Sequence, residues 1–123
     1  MRETFHLVPE AVWTVAAADL PYAAASLESE GFIHCTDGVD RLSVTFDRYY
    51  AADERAFLAL TLDLDALEVP WRYDAPGSPY PHIYGPIKRS AIVGLSCVVR
   101  LTDGRFSALT PTWRRPGAGL TPA

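Results

Sequence analysis

Three histidines are the only imidazoles in this chain of 123 residues, and each is embedded among apolar or aromatic neighbours. His6 lies in Thr4-Phe5-His6-Leu7-Val8, His34 in Glu30-Gly31-Phe32-Ile33-His34-Cys35-Thr36, and His82 in Tyr80-Pro81-His82-Ile83-Tyr84-Gly85-Pro86. An unpaired polar group in a core costs about 1–3 kcal/mol, so each ring either has a partner or faces a cavity. Three rings around one shared pocket would offer hydrogen bonds to an anionic or ribose-bearing ligand. The competing reading makes each of them a satisfied core or loop histidine.

Other chemistries are weaker in these residues. None of the histidines has the close spacing of the short zinc motifs, so no metal site is assigned, although a site gathered from distant strands is compatible with spacing. Cys35 adjoins His34, but neighbouring strand residues point to opposite faces and do not act as a pair. No GxSxG, P-loop or GxGxxG is present.

The elements that must position these rings read as one α+β domain over residues 1–109. A Thr-, Pro- and Gly-rich stretch, 110–123, is expected to be a disordered tail. Strands are expected at Glu3 to Val8, Phe32 to Cys35, Ala56 to Leu64, Val69 to Tyr73, Ala91 to Leu101 and Arg105 to Leu109. Leu58, Leu60, Leu62 and Leu64 alternate onto one face, and Pro70 marks the Val69 strand as an edge. Pro9 and Glu10 open a first helix running to Ala18. Thr36 or Asp37 caps a second, in which Val39, Leu42, Phe46 and Tyr49 recur every three or four residues. Tyr22 to Glu30 is a connector with a short turn at Ser26 to Ser29, and Asp74 to Pro81 is an exposed loop that delivers His82.

The net charge of −4 argues against a dedicated nucleic-acid binder, so RNA is a less favoured partner than a small nucleotide held by a few local arginines. Cys35 and Cys97 have no CxxC spacing and lie in apolar runs. They read as buried free thiols, which suits a reducing cytoplasm. No stretch approaches the roughly 20 apolar residues of a membrane span, and no apolar leader core follows Met1.

The motifs together resemble the bacterial domain-of-unknown-function family 952. That family opens with a "YHI" strand, continues through "W..A" and "SL..EGFIHCS", and closes on "FPHIYGPL". Here the matching residues are Phe5-His6-Leu7, Trp13, Ser26-Leu27, Glu30 to Thr36 and Tyr80 to Ile87, in the same order over about residues 4 to 101. The resemblance implies a compact split β-core similar to the ADP-ribosyltransferase superfamily, which holds NAD in a cleft. By position it places His6 at a first-strand site and His34 at a second, with the His82–Tyr84 segment as the third. Many such enzymes use a glutamate at the third position, and none falls between Tyr80 and Ile87. This chain is therefore more similar to the histidine-based branch that includes the RNA 2′-phosphotransferases. The resemblance implies His34, His82 and Tyr84 as catalytic residues. It implies His6 on a ribose hydroxyl of NAD, with Thr36 and Arg48 against phosphate. The alternative is a non-catalytic module that binds or senses a nucleotide.

Overall fold

A computed structural model describes residues 1–117. In chain order they form β1 (Glu3–Pro9), α1 (Glu10–Val15), α2 (Ala25–Glu30), β2 (Ile33–His34), α3 (Val39–Tyr50), β3 (Phe57–Asp63), β4 (Trp71–Tyr73), β5 (Pro81–Ile83), β6 (Ile92–Arg100) and β7 (Phe106–Arg114). Single 3₁₀ turns occupy Leu64–Ala66 and Arg89–Ala91. The strands make two antiparallel sheets, one of four in the order β1-β3-β6-β7 and one of three in the order β2-β5-β4.

The larger sheet is apolar on both faces, so it needs cover on both. Strand β3 shows why. Leu58, Leu60 and Leu62 join Val8, Ile33, Ile83 and Ile87 in the core cluster toward the small sheet. The alternate residues, Phe57 and Ala59, join Leu7, Leu42 and Phe46 under α3. The chain is thus layered as α3, four-stranded sheet and three-stranded sheet. Period two then sorts β1: Thr4, His6 and Val8 face the small sheet, while Leu7 faces α3.

Several expected boundaries move. Helix α1 stops at Val15 because Ala16 turns extended, with ψ 132°. The Tyr22 to Glu30 connector contains a helix, α2, closed by Gly31 at φ 88°; its N–H bonds the carbonyls of Leu27 and Ser26. Neither Thr36 nor Asp37 caps α3. Gly38, at φ 80°, takes that position without a side-chain bond. Both predicted caps are already engaged: Thr36 pairs its backbone with Phe5, and the Asp37 carboxylate accepts the Tyr73 hydroxyl at 2.5 Å. Of the expected α3 stripe, Leu42 and Phe46 are buried but Val39 and Tyr49 are exposed.

The C-terminal boundary also shifts. Strand β7 continues past 109 to Arg114 and stays paired with β6, through register shifts at Val99/Arg100 and Leu95/Ser96, as far as Gly94 opposite Arg114. Pro111 is tolerated because β7 is an edge strand, and Arg114 pairs with Glu3. Backbone pairing orders this segment where composition suggested a loose tail; the rest of that tail, from 118, lies outside the described residues. Among the described residues, no helix is long and apolar enough to cross a membrane.

Candidate functional site

The pairing of β2 with β5 sets His34 directly opposite His82, and the pairing of β4 with β5 sets Arg72 opposite His82 from the other side. One row across the three-stranded sheet therefore reads His34, His82, Arg72. The neighbouring row, Ile33, Ile83 and Trp71, faces the core. Since side chains alternate along a strand, the histidine row must face outward.

On that outer face the rings form a connected cluster. The His34 and His82 centroids are 5.6 Å apart, edge to face. The Phe32 ring stacks on His82 at 4.0 Å and meets His34 edge-on at 4.8 Å. Tyr84 lies 5.7 Å from Phe32, and the Arg72 guanidinium sits 4.2 Å over the Tyr84 ring.

Each imidazole has its own carboxylate. His82 Nδ1–H donates to Asp74 Oδ2 at 2.6 Å, and His34 Nε2–H donates to Glu30 Oε2 at 3.0 Å. The Tyr84 hydroxyl donates to the same Asp74 oxygen as His82, and Arg72 Nε donates to Asp74 Oδ1 at 2.6 Å. These three donors, Tyr84 first, hold the Asp74 carboxyl well below its ordinary range. The same bond raises the Tyr84 phenol, and Asp74 raises Arg72. Asp74 is therefore a fixed anion at the centre of a fan of donors. His34 is the more open ring, with 54% of its side chain accessible against 20% for His82.

The third histidine lies one layer beneath. His6 is buried, with Nδ1 2.7 Å from the backbone oxygen of His34 and Nε2 2.9 Å from the Tyr22 hydroxyl. A carbonyl only accepts, so Nδ1 carries the proton and Nε2 accepts from Tyr22. Burial pulls the ring pKa down from 6.5 to about 4, which keeps it neutral. Neither nitrogen reaches a ribose hydroxyl unless an internal bond is given up. His6 instead fixes the strand that carries His34.

Thr36 and Arg48 stand apart from the cluster as well. Thr36 is buried, its hydroxyl 3.3 Å from that of Thr45. Arg48 is on the solvent side of α3 with its guanidinium 5.5 Å from the Tyr49 ring. The structure thus brings together His34, His82 and Tyr84, and sets His6, Thr36 and Arg48 elsewhere. Cys35 is buried and its thiol is pushed up by desolvation, so it is inert; Cys97 is also free.

Four members of the cluster were not singled out in the sequence: Phe32, Arg72, Asp74 and Glu30. Phe32 was within reach of the period-two rule, two residues before His34 in the strand expected over Phe32 to Cys35, although β2 itself begins at Ile33. Arg72 had a similar signal, a charge between Trp71 and Tyr73. Glu30 and Asp74 had none, because one closes a helix and the other opens a loop. Next to the cluster is an open hollow of about 490 Å³ lined by Arg2, Asp37, Tyr73 and the Asp74 to Ser78 loop. Asp74 belongs to both. Within the hollow Arg2 donates to the Tyr73 hydroxyl at 3.1 Å, and Asp37 Oδ1 is buried with no protein partner. Among the described residues, no three His, Cys, Asp or Glu side chains gather as metal ligands.

The fold is similar to that of protein CC0527 from Caulobacter crescentus. Its crystal structure is 18% identical, with a TM-score of 0.68 over 85% of this chain and 93% of that one. Its solution NMR structure is 20% identical, with a TM-score of 0.66 over 85% and 91%. No curated protein matches the chain. The family described as "Protein of unknown function (DUF952)" matches residues 7–95, which run from within β1 to within β6 and include every member of the cluster, and the chain belongs to that family.

Proposed function

We propose that the outer face of the β2–β5–β4 sheet binds a nucleotide, with NAD or an ADP-ribose-bearing molecule as its ligand. The reading rests on one observation: two imidazoles 5.6 Å apart share a surface with an aromatic ring and a guanidinium. A nucleotide presents a flat base, ribose hydroxyls and phosphate. Phe32 offers a ring for stacking, the imidazoles offer hydrogen bonds to hydroxyls, and Arg72 offers a cation for phosphate. The adjoining hollow supplies a second cation, Arg2, and room for the other half of a dinucleotide. These residues fit NAD, which when bound supplies a ribosyl group with nicotinamide as its leaving group.

In this reading His34 and His82 contact the ribose and the incoming phosphate, as in the histidine-based branch of the ADP-ribosyltransferases. Tyr84 and Arg72 hold Asp74, which in turn orients His82. His6 acts through the His34 backbone and touches no ligand. A non-catalytic nucleotide-binding module is the second reading. It is favoured by the engagement of both cluster carboxylates, Glu30 and Asp74, with imidazoles, which leaves neither to stabilise a developing ribosyl cation.

Titration calorimetry with NAD and with ADP-ribose tests binding, and nicotinamide release over hours separates transferase from binder. One saturable site is expected, weakened at least tenfold in both Arg72→Ala and Phe32→Ala. The absence of binding by either ligand at millimolar concentration would refute the proposal.

A further inference from the structure

Each imidazole of the pair has one nitrogen engaged and one left over. Asp74 holds His82 Nδ1 and Glu30 holds His34 Nε2, so His82 Nε2 and His34 Nδ1 have no hydrogen-bond partner among the described residues. Two imidazoles so arranged, each oriented by a carboxylate, are the parts of a general base and a general acid. The 5.6 Å between their ring centroids is close enough for one tetrahedral group to lie against both rings, given a hydrogen-bond reach of about 2.6–3.2 Å. Arg72, paired in register with His82, stands beside them as a cation for non-bridging oxygens.

We infer that this pair opens cyclic phosphodiesters of nucleosides, the 2′,3′-cyclic phosphate in particular, by acid–base catalysis with water. The inference rests on the reading of this face as a nucleotide site, but not on NAD being the ligand. His82 takes the base role. Its Nδ1–H is fixed by an ionised Asp74, which leaves a lone pair on Nε2 to accept a proton from water. The water oxygen forms a bond to phosphorus, and the bond from phosphorus to one ribose oxygen breaks. His34, protonated and paired with Glu30, gives its Nδ1 proton to that departing oxygen. One water is consumed and one phosphomonoester forms. The two rings have exchanged protonation states, which solvent restores.

Charged groups set the pH behaviour. Glu30 and the His82 ring face His34; Asp74 and the His34 ring face His82, and Asp74 is itself faced by Tyr84 and Arg72. The rate needs one ring neutral and the other protonated, so it should be bell-shaped in pH.

The test is to incubate the full chain with 2′,3′-cyclic AMP and 2′,3′-cyclic CMP and follow products by phosphorus NMR. Binding of the same probes is measured by calorimetry. A 2′- or 3′-monophosphate should appear, and the rate should fall at least about 100-fold in both His34→Asn and His82→Asn. Circular dichroism and urea midpoints establish that both variants fold. Should either fail to fold, Glu30→Gln and Asp74→Asn, on the opposite sides of the two rings, should each displace one limb of the pH profile. Binding without turnover in the wild type overturns acid–base catalysis and leaves the nucleotide site standing. Absence of binding by these probes and by NAD overturns both. Undiminished turnover in folded His34→Asn and His82→Asn assigns the activity to a contaminant and also ends the inference.

Discussion

Acid should destabilise this protein through His6 before it does so through the carboxylates. The folded ring protonates at a pH of about 4 because burial disfavours its cation, while the unfolded ring protonates near 6.5. Between those values the unfolded chain holds more protons than the folded one, so stability falls as pH falls. It is flat above the upper value and again below the lower one, as far as this group is concerned. At ~1.4 kcal/mol for each pH unit, the whole window is worth about 3 kcal/mol. For a domain of this size that is a sizeable part of a typical total of about 5–15 kcal/mol.

The depressed carboxylates do not blur the window. Asp53, held down to about 2 by Arg55, and Asp74, held down by Tyr84, Arg72 and His82, lose their contributions only as pH drops through the ordinary carboxylate value of 3.8 and below. Urea unfolding at about pH 7.5 and about pH 4.5 should therefore differ by roughly 2–3 kcal/mol in the wild type. His6→Asn is the matched control. Its amide can donate to the His34 carbonyl in place of Nδ1, but it carries no titrating charge. That variant should be less stable at neutral pH by about 1–3 kcal/mol, since Tyr22 loses its acceptor, and its stability should vary much less between the two pH values. An equal pH slope in wild type and variant would refute the reasoning, as would a His6 ring proton titrating near 6.5 by NMR.

Three further outcomes follow from the same contacts. Gly85→Ala should cost about 1–3 kcal/mol, because an added Cβ would come within 2.6 Å of Val69 Cγ1; Val69→Ala in the same chain should relieve part of that loss in a urea titration. Arg100→Lys should cost about 1–3 kcal/mol of stability, since the guanidinium reaches four carbonyls, those of Gly104, Arg55, Tyr50 and Ala51, and an ammonium cannot span that set. Asp74→Asn should lower the urea midpoint at neutral pH and free the His82 ring, seen as a mixture of tautomers by nitrogen-15 NMR, because the amide cannot accept from His82, Tyr84 and Arg72 together.

Much of the α+β layout was legible because period two survives at the level of single strands. Alternating leucines in β3 mark the face toward the small sheet. What they cannot mark is that the other face is buried too, since Phe57 and Ala59 are covered by α3, an element from an earlier part of the chain. The same limit explains β7. Thr110 and Pro111 have no local reason to be ordered, and their structure comes from pairing with β6, while Thr112 sits at a register shift with its hydroxyl donating to the Leu95 carbonyl. Of the expected cluster, His34, His82 and Tyr84 were visible as polar or aromatic residues alternating with Ile33 and Ile83. Arg48 looked equivalent to Arg72 in type and charge, and only strand pairing shows that Arg72 is beside His82.

The three histidines show how far residue type alone can mislead. All sit in similar apolar runs, yet one layer of sheet separates an exposed ring, His34, and a half-buried one, His82, from the buried His6. Their positions in the alternation decide this: His34 and His82 are out of phase with Ile33 and Ile83, whereas His6 is in phase with Val8, a core residue. They are nonetheless mechanically joined. Strand β2 is only two residues long, too short to be held by pairing with β5 alone. Its other supports are the His6 bond to the His34 carbonyl and the backbone exchange between Phe5 and Thr36, both from β1. A buried neutral imidazole thus fixes the height of an exposed one, and substitutions at His6 should move ligand affinity at His34 without altering any group a ligand touches.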